Sequence, residues 1–227
     1  MKNHSLTENF VRELERKILS GEWAIGDRIP TLREMAENMN VSRSVVNAGV
    51  VELAKAGYLK IVPRKWTEVA DWKKEGTILV MEDMAREDML TGEALESVLD
   101  ARRLIECECV QLACTHATPE DMEELRRHIG IEYKATDVKE RVKNDLKFHH
   151  MLSVMSGNMA YHLILKSFEK IAEKFVTLFY QNGDVFETAV GIHVQIYESL
   201  KQKNASKAKE EMEKLLRHGE QQLWKIL

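Results

Sequence analysis

Asp145 and His149 stand four residues apart in a stretch of helical periodicity, so a carboxylate and an imidazole share one helix face, one turn apart. That spacing permits chelation of a divalent ion. His193 and His218 fall in two later helical stretches, and a helical bundle can project side chains from facing helices into its interior. One carboxylate and three imidazoles suit Zn²⁺, Ni²⁺, Mn²⁺ or Fe²⁺, and the absence of thiolate argues against a structural zinc finger. Taken alone, Asp-x-x-x-His equally describes ordinary surface or core residues of a helix. His150 is rotated by about 100° from His149, which leaves His149 as the partner of Asp145. His4, His116, His128 and His162 lack partners at ligand spacing and read as surface or hydrogen-bonded imidazoles.

A second chemistry is read from charge. Arg43, Lys55, Lys60, Arg64 and Lys65 face only Glu52 within residues 41–65, the local cationic footprint that phosphate contacts require. Residues 1–70 hold 11 Lys and Arg against 9 Asp and Glu, whereas the remainder holds 22 against 28. With a net charge of −4 over 227 residues, the chain is not a uniformly cationic nucleic-acid coat, and any basic surface is local.

The elements that must position these groups are legible in the pattern. Ser5 with Glu8 forms a capping box before Val11, Leu14, Ile18 and Leu19, and Gly21 stops the run. Thr31 with Glu34 caps a short helix that ends at Asn40, and Ser42 caps a third carrying Val46, Val50 and Leu53, closed by Gly57. Two helices joined so tightly resemble a helix-turn-helix. Residues 58–62 and 67–70 are β-rich and flank Pro63-Arg64-Lys65-Trp66, which predicts a two-stranded wing. Beyond about residue 71 no convincing strand follows. A long helix runs through Leu95 to Leu112, Thr118-Pro119-Glu120-Asp121 opens another, and further helices are expected over 137–156, 159–181, 184–203 and 205–226. The breaks are Gly157-Asn158, Gly183-Asp184 and Asn204.

The fold class expected is therefore mainly α: a winged helix-turn-helix over residues 1–71 and an all-α bundle over 72–227. Apolar residues at 44% exclude a wholly disordered chain, and Pro is too scarce, at three residues, for a Pro-rich linker protein. No run approaches the roughly 18–20 apolar residues of a membrane span, and the N-terminus lacks a signal-peptide core, so the expected location is cytoplasmic with no membrane partner. Cys107, Cys109 and Cys114 read as buried small hydrophobes in a reducing compartment.

Arg28-Ile-Pro-Thr-Leu-Arg-Glu-Met-Ala-Glu, then Val41-Ser-Arg-Ser-Val-Val-Asn-Ala, with Gly26-Asp27 before them, resembles the winged helix-turn-helix of GntR-family bacterial transcription regulators over roughly residues 8–70. The helical remainder resembles the effector domain of the FadR-like subfamily, the FCD type. Arg102-Arg-Leu-Ile-Glu106, Asp145 to His149, Ser156-Gly-Asn158, His193 and His218 carry that likeness. The resemblance implies a homodimer that binds double-stranded operator DNA of roughly two-fold symmetry and responds to a small effector.

It also assigns residues. Arg33, Ser42, Arg43, Asn47, Arg64 and Lys65 would contact DNA, with Arg33 and Arg43 suited to phosphate or to guanine. Asn47 replaces an arginine usual in the family and suits adenine instead. Arg64-Lys65-Trp66 replaces the family's Gly-x-Gly wing tip, losing its easy tight turn. Asp145, His149, His193 and His218 would hold a divalent transition metal, zinc first, with nickel, manganese or iron as alternatives. Arg102 and Asn158 would hold a small organic-acid or sugar-acid effector, Arg102 by a bidentate carboxylate pair. An alternative expectation is a helical metal-dependent enzyme with a DNA-binding appendage. Against it, the sequence lacks Gly-x-Ser-x-Gly, His-Glu-x-x-His and any phosphate-cradling glycine loop.

Overall fold

A computed structural model describes residues 5–182 and 185–226, which fall into two compact units, one through Leu90 and one from Thr91. In the first, α1 (Leu6–Leu19) opens on the predicted box: the Ser5 hydroxyl accepts from the Glu8 amide, and the Glu8 carboxylate accepts from the Ser5 amide. The reciprocal bonds satisfy two of the N–H groups that every helix start leaves open. Thr31 and Glu34 repeat the device at α2 (Leu32–Asn38), and the Ser42 hydroxyl caps α3 (Arg43–Ala56) by accepting from the Val45 amide at 3.3 Å. Phe10, Leu14 and Ile18 of α1 are buried, as are Val46, Val50 and Leu53 of α3. Gly49 lets α1 and α3 pack this closely, since a β-carbon there would stand 2.4 Å from the Phe10 ring.

The wing is β1 (Leu59–Val62) paired antiparallel with β2 (Trp66–Val69), Leu59 opposite Val69 and Val62 opposite Trp66. Its tip is closed by the Lys65 amide donating to the Val62 carbonyl at 3.1 Å, with Arg64 at φ 60°. The backbone thus keeps a left-handed residue at the tip without the glycine that would adopt it freely.

The first unit runs 19 residues beyond the expected boundary at 71. After β2 come α4 (Trp72–Glu75) and α5 (Leu79–Arg86), neither of which has a strong sequence signal. Arg86 of α5 donates to Glu15 of α1 at 2.5 Å and to Asp83 at 2.6 Å, and the buried Tyr58 hydroxyl donates to Asp83 at 3.1 Å. Gly57, at φ 88°, lets the chain before α5 lie against the end of α3: a β-carbon there would meet the Glu75 carbonyl oxygen at 2.4 Å.

The second unit holds α6 (Gly92–His116), α7 (Pro119–Glu132), α8 (Val138–Met155), α9 (Met159–Ser167), α10 (Glu169–Gln181), α11 (Phe186–Lys201) and α12 (Ala205–Ile226). The helix expected over 159–181 is broken at Phe168, which ends α9 and precedes α10. The expected Gly183-Asp184 break lies outside the described residues. α8 packs on α6, α7 and α10, while α12 lies along α6 and α11. Val110, Ala113, Leu125, Phe148, Leu152, Ile196 and Met212 form the centre of the core. Each of these but Ala113 contributes roughly 1.5–3 kcal/mol by leaving water. Cys107, Cys109 and Cys114 are free and buried, and burial raises all three thiols.

Candidate functional site

α8 brings Asp145 and His149 to one face as the i, i+4 spacing requires, with His149 Nε2 3.8 Å from Asp145 Oδ2. α11 adds His193, whose Nε2 lies 4.0 Å from Asp145 Oδ1. One ligand atom from each of the three residues lies within 4.8 Å of the others. Each imidazole is oriented from behind by a carboxylate. Nδ1 of His193 sits 2.9 and 3.1 Å from the Glu132 oxygens, and Nδ1 of His149 contacts Glu106. A carboxylate behind Nδ1 fixes the proton there and leaves the Nε2 lone pair for an ion. Phe148 stacks on His193 at 3.8 Å between ring centres, and the Tyr180 hydroxyl donates to Asp145 Oδ1 at 2.9 Å.

The arrangement fits a divalent transition metal. His193 Nε2 is buried and has no hydrogen-bond partner among the described residues, although the side chain is wholly enclosed. An unpartnered buried nitrogen is costly unless something else satisfies it, and this one lies beside a carboxylate and a second imidazole. Burial alone would raise Glu106, but Arg102 and His149 outweigh it and hold the carboxyl at about 2. It therefore stays an anion at the back of His149.

His218 is not brought to this group. Positions Leu215 and Gly219 of α12 line the cavity beside Asp145 and His149, and His218 is rotated by about 60° from the first and about 100° from the second. Its ring instead meets Phe179 edge-on at 5.8 Å and lines a surface hollow with Thr188 and Ile192. Three of the four expected ligands thus lie together, and the fourth, His218, stands apart with its own buried Nε2 unpartnered among the described residues. Asn158 also does other work: its side-chain oxygen accepts from the Ala160 and Tyr161 amides at 3.1 and 3.3 Å, capping α9, and it does not line the cavity. Arg102 does line it, with Nε donating to Glu106 at 2.7 Å.

Glu132 and Tyr180 were not singled out by sequence reasoning. Glu132 is the last residue of α7, where an acid normally faces water and meets an unfavourable helix dipole, so no local signal marks it as a histidine's partner. Tyr180 sits in the apolar run Phe175 to Tyr180 and reads as core. His116 and His128 bond the Ser156 and Asn144 carbonyls, as expected of satisfied imidazoles.

In the first unit, Ser42, Arg43 and Asn47 are exposed at the start of α3, whose Val46 and Val50 are buried. Arg33 is exposed on α2 and pairs with Glu37 at 2.8 Å. Arg64 and Lys65 are exposed at the wing tip, and Arg28 stacks on the Trp66 ring at 4.0 Å.

Residues 6–69 match the family profile described as bacterial regulatory proteins, gntR family, and residues 97–218 match that of the FCD domain. The chain belongs to the GntR family of bacterial regulatory proteins. Among curated GntR-type relatives, it is 27% identical over 164 residues to the HTH-type transcriptional repressor NanR of Cronobacter sakazakii, covering 70% of this chain and 63% of that protein. It is 25% identical over 210 residues to NanR of Salmonella newport, covering 89% and 79%. The chain thus spans under two thirds of the first of these relatives. The GntR fold recurs in a solved structure described as Lar, which controls the expression of the Listeria monocytogenes agr system, with a TM-score of 0.68 at 16% identity over 100% of both chains. It recurs also in E. coli McbR/YncC, with a TM-score of 0.57 at 16% identity over 98% of both. Both NanR relatives are named as HTH-type transcriptional repressors. No helix among the described residues is long and apolar enough to cross a membrane.

Proposed function

We propose that this GntR-family chain is a cytoplasmic transcription regulator that binds double-stranded operator DNA as a homodimer through its winged helix, and that a small carboxylate effector bound beside a metal in the FCD unit alters operator affinity. The observation that carries the effector half is the unpartnered Nε2 of His193, held beside Asp145 and His149 at a cavity that Arg102 also lines. Asp145, His149 and His193 hold the ion in this reading. A bound divalent ion supplies a Lewis-acidic anchor for a carboxylate oxygen. Zinc suits one carboxylate with two imidazoles and an open position, and nickel, manganese and iron suit the same donors.

The DNA half rests on the exposed side chains at the start of α3 and on the wing tip. Arg33, Arg43, Arg64 and Lys65 supply phosphate or guanine contacts, Ser42 reaches phosphate from the helix start, and Asn47 reads adenine through a paired donor and acceptor. One recognition helix reads few base pairs, and two-fold pairing of chains doubles the site read.

The test is a mobility-shift titration of the full chain on operator selected from random DNA, with zinc-loaded and chelator-stripped protein, and with and without a panel of carboxylates. The proposal expects sequence-specific binding by a dimer and a shift in operator affinity of about fivefold or more, present only with both ion and carboxylate. Specific binding that no carboxylate alters in the metal-loaded protein would overturn the effector half, and absence of specific binding would overturn the DNA half.

A further inference from the structure

The cavity beside Asp145 has one polar wall and, Glu220 apart, is otherwise apolar. Arg102, Asp145 and His149 form the polar side, whereas Leu99, Val176, Phe179, Leu215, Leu216 and Leu223 face them from α6, α10 and α12. Glu220, the one further charged group lining the cavity among the described residues, is already held by Arg103 at 2.7 Å. A ligand anchored at the polar wall therefore projects the rest of its body against leucine and phenylalanine. Hydroxyls placed against the leucines and Phe179 give up water with only Glu220, already paired with Arg103, as an acceptor, whereas methylenes leave water at a gain.

Charge limits the anchor to a single carboxylate. Asp145, Glu106 and Glu132 bring three formal negative charges to the site, Arg102 brings one positive charge, and a divalent ion makes the sum zero. One carboxylate then adds one negative charge, which the ion and Arg102 flank. Each further carboxylate adds a charge that nothing in the apolar wall compensates. Size sets the tail. The cavity volume is about 70 Å³ on a scale where one water needs roughly 10–15 Å³, so it holds on the order of five to seven small groups. A carboxylate takes three of them.

We infer that the effector is a short-chain monocarboxylate with an apolar tail of about two to four carbons, its carboxylate held between Arg102 and the ion that Asp145 would help to hold, and its tail lying against α12. This rests on the carboxylate reading proposed above and narrows it, setting aside sugar acids and polycarboxylates.

Calorimetry on the zinc-loaded full chain tests it with acetate, propionate, butyrate, pentanoate, octanoate, gluconate and citrate as probes. Affinity should rise about fourfold per added methylene from acetate to pentanoate and stop rising by octanoate. Gluconate and citrate should bind at least tenfold more weakly than pentanoate. Leu216→Asn should abolish the dependence on chain length and leave acetate unchanged, and Leu99→Asn, on a different helix, provides the same readout should the first variant misfold. A flat series, or gluconate or citrate equal to pentanoate, overturns the apolar-tail assignment and leaves the carboxylate reading standing. A chain-length series unaltered in both folded variants overturns the placement of the tail. No binding by any of the seven acids overturns both readings.

Discussion

At the site, orientation of two imidazoles by two buried carboxylates decides which histidines can serve an ion. His193 is backed by Glu132 and presents an unpartnered Nε2 to Asp145, whereas His218 has an equally unpartnered Nε2 with neither a backing carboxylate nor a second ligand beside it among the described residues. Burial lowers His218 below the usual imidazole range, as expected of an uncharged ring against Phe179. His193→Ala should therefore lose bound zinc outright, and Glu132→Gln should weaken it by about 10–100-fold through loss of orientation. His218→Ala should keep full occupancy. Metal analysis of the three purified variants decides this, and retained zinc in His193→Ala would remove the ligand set. At the wing tip, Arg64 holds φ 60° without being glycine. Arg64→Gly should relieve that strain, raising stability by up to about 1 kcal/mol, and should remove one phosphate contact. The slope of log affinity against log salt should then fall by about one, measured by fluorescence anisotropy on operator DNA at several salt concentrations. An unchanged slope would show that Arg64 does not touch phosphate.

Among the elements, α5 is held to α1 by an ion pair whose carboxylate, Glu15, titrates near neutrality. Burial, and next the Asp83 carboxylate, push Glu15 up to about 7 from an ordinary 4.5, against the pull of Arg86; Glu87 adds repulsion, and Tyr58 bonds Asp83 from the other side. The folded state thus binds a proton at Glu15 that the unfolded chain releases between about pH 4.5 and 7. Its stabilising contribution is fully present below about 4.5 and is lost as pH rises through about 7. In thermal melts, Glu15→Gln should gain on the natural chain by on the order of 2 kcal/mol between pH 5 and 8. A constant difference across that range would exclude proton uptake at Glu15. This docking also shows where sequence reading stops. Capping boxes at Ser5 and Thr31, the Ser42 cap and the Gly57 stop were legible because each is a local hydrogen-bonding or backbone requirement written within four residues. The extension of the first unit to Leu90 was not, because Glu15 meets Arg86 across 71 residues and no local pattern records such a pair. The same holds in the bundle. Asp145 and His149 declare themselves by spacing, whereas the pairing of Glu132 with His193 and the presence of Leu215 in place of His218 at the cavity depend on how α7, α11 and α12 face one another.

Over the whole molecule, a regulator of this kind is defined by a coupling free energy, and that quantity has a checkable symmetry. The groups proposed to read DNA belong to the unit that ends at Leu90, and those proposed to hold metal and effector belong to the unit that begins at Thr91. Since Asn47 and Arg64 are not among the residues at the cavity, an effector can change operator affinity only by binding two states of the chain with different strength. Linkage then requires that operator DNA change effector affinity by the same factor. If pentanoate with zinc alters operator affinity tenfold, saturating operator should alter pentanoate affinity tenfold in the same direction, about 1.4 kcal/mol measured from either side. His193→Ala should abolish both effects together, because it removes the ion on which the differential binding depends. Arg64→Gly should weaken operator binding with and without pentanoate by the same factor and leave the coupling intact. Calorimetric titration of pentanoate into free and operator-bound protein, set beside anisotropy titrations of operator with and without pentanoate, measures all four affinities. Unequal factors would mean that the acid acts on DNA binding by a route other than this cavity, and a coupling that persists in zinc-free His193→Ala would place the effector elsewhere in the chain.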